Sequence, residues 1–150
     1  MQTADESATV PAPERNELNA PYWDALAQGS LAFQRCTQCG HAWLPPRSEC
    51  PACLADNYHW EKAGGDARLV SWVTYHIAYH SAFKDRLPYT VAVVELDEGP
   101  RLISNVVGID DAPALAIDQR LRLVIEREGG TAVPRFTPRR VAQAAGIKPQ

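Results

Sequence analysis

Every cysteine of the chain lies in one stretch, CTQCGHAWLPPRSECPAC, from Cys36 to Cys53. It holds two Cys-x-x-Cys pairs, Cys36/Cys39 and Cys50/Cys53, with ten residues between them. A Cys-x-x-Cys turn presents two sulfurs to one ion, and two such turns brought together by a hairpin complete a tetrahedral shell. Gly40 directly after Cys39 frees the backbone for a tight knuckle, and Pro51 stiffens the second one. A thioredoxin-like redox site needs a single pair at a strand-to-helix junction, which this proline-rich hairpin does not offer. A zinc deaminase needs His-x-Glu upstream and Pro before the second pair; here His41 is followed by Ala42 and Cys50 is preceded by Glu49. Four thiolates also suit iron. Structural zinc, one ion per chain, is the expectation. A closed four-thiolate shell leaves no position for substrate, so this segment reads as architecture for a piece too small to build its own core.

The rest of the chain bounds what that architecture can serve. Its 150 residues allow one domain or two small modules. The net charge of −3 gives no global attraction to nucleic acid or anionic lipid. No window approaches the roughly 18 apolar residues of a membrane span, and the first thirty residues lack the basic start and apolar run of a secretion signal. Reduced thiols then point to a cytoplasmic protein.

Along the chain, residues 1–17 read as a loose polar arm. A helix fits residues 18–30, with Asn19 as its cap, Pro21 in the first turn and Gly29 at its end. Tyr22, Trp23 and Leu26 fall on one side of it, with Asp24 and Gln28 opposite. So short a helix is marginal alone, so that face must dock on its own domain or on a partner. Residues 31–62 form the cysteine module. From residue 63 the pattern becomes that of strands. Leu69 to Tyr79 alternates, with Val73, Tyr75, Ile77 and Tyr79 on one face and Trp72, Thr74, His76 and His80 on the other. SAFKDRL is a loop or short helix; PYTVAVVEL and RLISNVV form a hairpin around an acidic Gly-Pro turn. QRLRLVIEREGG and TAVPRFTP supply two more strands, and residues 139–150 a tail. Five strands without a long helix predict a mainly β protein whose residues 63–138 form a five-stranded OB-fold barrel.

Residues 64–140 contain ten basic and ten acidic side chains. An OB barrel that grips single-stranded nucleic acid shows a positive groove with stacking aromatics, so nucleic acid is not the expected partner.

The order PYWDALAQGSLAFQRC, CTQCGHAWLPPRSECPAC, HWEKAGGD, RLVSWVTYHIAYHSAF, PYTVAVVELDEGPRLISNVVGI and LRLVIEREGG…VPRF resembles the acyl-CoA-associated zinc-ribbon/OB-fold proteins, long catalogued as a domain of unknown function. The resemblance runs from Pro21 to Phe136. It departs at Ile117-Asp118-Gln119, where the family often has Ile-Gly. It implies an N-terminal helix, a rubredoxin-like zinc ribbon ligated by Cys36, Cys39, Cys50 and Cys53, and an OB barrel. It also implies a non-catalytic accessory subunit of a thiolase-superfamily enzyme, such as a steroid side-chain aldolase, an acetoacetyl-CoA thiolase or an acylphloroglucinol acetyltransferase. Such a subunit helps complete the partner's CoA-thioester site or bridges it to a hot-dog-fold enoyl-CoA hydratase. On that reading Lys84, Arg86 and Arg101 are candidates for acyl-CoA phosphate contacts, and Tyr22, Trp23, Leu26 and Phe83 for partner contacts. The competing expectation is a stand-alone thioester enzyme using His76, Tyr79 or Asp85 as acid or base; on one strand face His76 and His80 would stand about 13 Å apart, too far to share an ion.

Overall fold

The computed structural model describes residues 9–109 and 115–139. The start of the arm, part of the connector after Ile109 and the tail beyond Arg139 lie outside the described residues. Among the described residues, one helix, α1 (Ala20–Ala27), precedes a series of strands interrupted by one 3-10 turn.

Three strands make the cysteine module: β1 (Ala32–Cys36), β2 (Ala42–Trp43) and β3 (Tyr58–Lys62), in the order β2-β1-β3, all antiparallel. The other five form a closed barrel: β4 (Asp66–Tyr75), β5 (Tyr89–Leu96), β6 (Arg101–Val106), β7 (Arg120–Glu128) and β8 (Thr131–Pro138), in the order β4-β5-β6-β8-β7. This is the expected mainly β architecture with its five-stranded barrel. Gly129 and Gly130 form the two-residue loop between β7 and β8, both at positive φ (56° and 86°). That is what a type I′ hairpin turn requires, and only glycine takes it cheaply at both positions. Closure is achieved on the other side by a single parallel bridge, Val106 to Phe136, extended by Val107 N–H donating to the Phe136 carbonyl at 2.8 Å.

β4 departs from its sequence reading. It starts at Asp66 rather than Leu69 and ends at Tyr75, so Ile77, Tyr79, His76 and His80 lie past the strand and share no strand face. The chain turns there because His80 begins a 3-10 helix, Ser81–Arg86, its ring Nδ1 accepting the Ala82 N–H at 3.1 Å. A bulge between Leu69 and Ser71 shifts the β4–β5 register.

One apolar core joins all three parts: Leu26 from α1, Phe33 and Leu44 from the cysteine module, and Leu69, Val94, Leu121 and Phe136 from the barrel. The α1 face seen in the sequence is therefore turned onto its own fold. Leu26 is 1% exposed, and Tyr22 and Trp23 pack against the same core. Burial lifts the Tyr22 phenol to about 12, against the opposing pull of the Arg135 charge. Asn19 does not cap α1 with its side chain. It pairs instead with Asn16, each side-chain oxygen accepting the other's backbone N–H at 2.8 Å. Gly29 ends the helix at φ +88°.

Candidate metal centre and adjoining cleft

Both Cys-x-x-Cys turns fold the same way. In the first, Gly40 N–H donates to the Cys36 carbonyl at 3.0 Å; in the second, Leu54 N–H donates to the Cys50 carbonyl at 2.8 Å. The residue after each second cysteine sits at positive φ, Gly40 at +81° and Leu54 at +67°. Such a conformation suits Gly40 and strains Leu54. The knuckle geometry thus overrides local preference in the second turn.

These turns bring the four sulfurs of Cys36, Cys39, Cys50 and Cys53 within 4.8 Å of one another. The pairs run across the knuckles, Cys36 to Cys53 and Cys39 to Cys50, both at 3.6 Å. A disulfide would need about 2.05 Å. Zn–S bonds of about 2.3 Å in a tetrahedron set sulfur–sulfur edges near 3.8 Å, so the quartet fits one zinc ion. Backbone N–H groups of Gln38 and Cys39 point at Cys36 Sγ (3.3 and 3.4 Å), and that of Ala52 at Cys50 Sγ (3.4 Å). The Cys39 N–H is the main influence holding the Cys36 thiol down to about 7; donors of this kind favour the thiolate that a metal requires. His41 is no part of this set: its ring stacks on Trp43 at 6.3 Å.

Gln34, 0% exposed on β1, braces the loop between the knuckles. Its Nε2 donates to the Arg47 carbonyl at 2.9 Å, and its Oε1 accepts the Arg47 N–H at 2.7 Å. A side-chain amide here replaces a missing strand neighbour and leaves neither backbone group orphaned. The site is closed and offers no fourth open position, so its chemistry is structural.

A cleft of about 680 Å³ opens at one end of the barrel, within the range of small-molecule sites. Phe83 and Arg86 of the 3-10 helix, Tyr89 and Val91 of β5, Asn105 of β6 and Arg135 of β8 are among its walls. Arg86 and Arg135 both hold Glu128 Oε1, at 2.7 and 2.8 Å. Burial pushes the Glu128 carboxyl up, but Arg135 and then Arg86 outweigh this, and the net shift is downward. A depressed carboxylate stabilises the fold above its unfolded pKa, and that contribution disappears as pH falls through the lower folded value. Glu128→Gln should therefore flatten the loss of stability on acidification below about pH 4.3, checked by denaturant unfolding at several pH values. An unchanged acid slope would contradict the pairing.

The three candidate phosphate contacts are not gathered at this cleft. Arg86 lines it, stacked over the Phe83 ring at 5.1 Å. Lys84 is exposed on the same 3-10 helix. Arg101 sits at the far end of the β5–β6 pair, opposite Glu95, which it bonds at 3.2 Å. Five strand positions separate that pair from Thr90 and Val106 at the cleft, about 17 Å at the usual rise. The hairpin makes Arg101 close to the turn, not to the loop that carries Lys84. His76, Tyr79 and Asp85 are all exposed, and among the described residues neither the His76 nor the Asp85 side chain has a hydrogen-bond partner. Sequence reasoning misses Glu128 and Arg135. A lone arginine inside the apolar run of TAVPRFTP was the available signal.

The comparisons with known proteins fall on these same two units. Residues 23–59 match the family model described as ChsH2, rubredoxin-like zinc ribbon domain, and residues 60–126 match ChsH2, C-terminal OB-fold domain. A "Probable enoyl-CoA hydratase alpha subunit" of Thermomonospora curvata is 39% identical over 102 residues, 68% of this chain and 31% of that protein. A "DUF35 domain-containing scaffold protein" of Methanothermobacter thermautotrophicus is 38% identical over 54% of this chain and 61% of its own length. The chain thus spans less than two thirds of these relatives. Among solved structures, a chain of the "Ltp2-ChsH2(DUF35) aldolase" superposes with a TM-score of 0.74 at 34% identity, covering 85% of this chain and 98% of that one. A DUF35 protein of unknown function from Sulfolobus solfataricus, 15% identical with a TM-score of 0.61, shares the fold. With its four-cysteine ribbon on a closed five-stranded barrel, the chain belongs to the ChsH2-type, or DUF35, family of zinc-ribbon/OB-fold proteins.

Proposed function

We propose that this chain is a non-catalytic accessory subunit that docks on a thiolase-superfamily enzyme and helps complete its CoA-thioester site. The observation that carries the reading is the match, at 34% identity and over 98% of its length, to a chain of a two-component aldolase. The closed zinc shell supports it, because it supplies structure and no reacting group. The stand-alone enzyme reading finds no support in the exposed and separate positions of His76, Tyr79 and Asp85. Of the three phosphate-contact candidates, Arg86 lines the cleft, where it also pairs with Glu128, and its position supports a CoA-phosphate contact there; Arg101 lies at the other end of the sheet beside Glu95. Kinship with an enoyl-CoA hydratase subunit supports a bridging role toward a hot-dog-fold hydratase as well. Zinc-binding thiolates suit the reducing cytoplasm, and no helix among the described residues is long and apolar enough to cross a membrane.

Co-expression with a thiolase-fold subunit from the same cells, followed by gel filtration, tests this. Co-elution at a fixed stoichiometry is expected, with acyl-CoA turnover by the complex and none by the isolated chain. Turnover at enzyme-like rates by the purified chain alone would overturn the proposal.

A further inference from the structure

The barrel has one wall whose outer side is more apolar than a water-facing sheet should be. Along β5 the inward positions are Thr90, Ala92, Val94 and Leu96, all buried, and the outward ones are Tyr89, Val91 and Val93, with Glu95 at the far end. Register carries those outward positions across to Val73 and Ser71 on β4 and to Asn105 and Ile103 on β6. Ile103 is 75% exposed and Val73 54%; just past β4, Ile77 and Tyr79 are 66% and 81% exposed. An antiparallel sheet with one solvated face normally alternates apolar-in with polar-out. Tyr75 stacks on Tyr89 at 5.2 Å, and Tyr79 and Phe83 meet those two rings at 6.2 and 5.9 Å, so the apolar face of the three strands runs on into the segment after β4. Contiguous exposed apolar patches on a monomer are often functional.

We infer that this outer face of β4–β5–β6 is the seat of the enzyme subunit, an inference that rests on the accessory-subunit reading above. Three observations select that occupant. The helix face named as a partner candidate is shared with the chain's own core, Leu26 buried and Tyr22 and Trp23 partly buried against it, so β4–β5–β6 is the more open apolar surface. The charge along the edge of the patch away from the cleft is balanced: Arg68 bonds Glu95 and Asp118, and Arg101 bonds Glu95. Two guanidiniums and two carboxylates sum to zero, which offers nothing to a polyanion or an anionic lipid surface and matches an apolar protein face. Third, the patch is continuous with the cleft, since Tyr89, Val91 and Asn105 belong to both. A protein seated on β4–β5–β6 therefore stands at the cleft's rim and roofs it with its own residues. A second copy of this chain would bring only another cleft of the same kind.

A photoreactive phenylalanine analogue placed at Ile103, and in a control at Leu54 on the ribbon (71% exposed), tests the assignment in the producing cells. The expected result is a covalent adduct with a thiolase-fold subunit from position 103 and none from position 54. The double variant Val73→Asp/Ile103→Asp, with zinc content and melting temperature unchanged, should weaken the purified complex by about 100-fold, the scale of losing central apolar anchors. Capture of that subunit from position 54 but not 103, or full affinity in the folded double variant, overturns the face and leaves the accessory function standing. Capture of a second copy or of a nucleic acid at position 103 likewise overturns it. Capture of no thiolase-fold enzyme from either position overturns both readings.

Discussion

Cys36→Ser is expected to lower zinc content from about one ion per chain to well under one tenth and to melt residues 31–62, with no catalytic defect of its own. The cluster beneath the metal explains why. Only Cys36, Trp43 and Cys50 are fully buried there, with Cys53, Ala55 and Tyr58 partly covering them. Two of those three buried side chains are proposed ligands, so at the knuckle end the apolar material left without metal is essentially one tryptophan, while Leu31, Phe33 and Leu44 belong to the core shared with the barrel. Structural zinc contributes on the order of 10 kcal/mol of apparent binding free energy at neutral pH, which folds modules of this size outright. Near-UV circular dichroism reads the outcome directly, because Trp43 packs edge-on against Tyr58 at 5.9 Å. The mutant spectrum should lose that band, as should the wild type treated with a strong chelator. Loss of the partner complex should follow from the unfolded ribbon, since Phe33 of β1 carries the ribbon into the shared core. Retained zinc and retained partner binding in Cys36→Ser would contradict a structural centre.

Leu26→Ala is expected to cost about 2–5 kcal/mol, the range for truncating a buried leucine in a core that cannot fully collapse. For a chain of this length that is a fall in melting temperature of roughly 10 °C. The number separates the two readings of the α1 face. A helix held out for a partner would tolerate the change with little effect on the isolated chain, and only the complex would weaken. Here Leu26 meets the core that Phe136 and Leu121 build from the barrel, so the isolated chain should register the full loss. Thermal unfolding of the subunit alone decides it, and a change within about 0.5 kcal/mol would return the face to the surface.

Much of the architecture was legible because it rests on local rules. Cys-x-x-Cys spacing, Gly40 at its left-handed position, and the paired glycines before β8 each specify a turn from a few adjacent residues. The strands of the barrel declare themselves by period-two alternation, clearest in β5. β4 was read three residues late and four too long, because the apolar rhythm of Val73, Tyr75, Ile77 and Tyr79 continues past the point where the chain turns. Periodicity reports which residues are apolar, and these remain apolar on an exposed surface. Lys84, Arg86 and Arg101 were candidates for the same ligand's phosphates, yet antiparallel pairing puts Arg101 beside Glu95 at the other end of the sheet.

The sequence by itself determined the metal-ligand set and the strand content, since ligand identity, ligand spacing and side-chain alternation are properties of neighbours along the chain. Tertiary structure alone decided which surfaces remain. Whether Tyr22, Trp23 and Leu26 face inward, and whether the outward side of β4–β5–β6 stays open, depends on which element the closed barrel lays against each wall. Arg86 and Glu128, 42 residues apart in sequence, meet only because the closed barrel brings the 3-10 helix to the end of β7. Such contacts arise from chain closure, whose free energy is shared by the whole core and is written in no single stretch of residues.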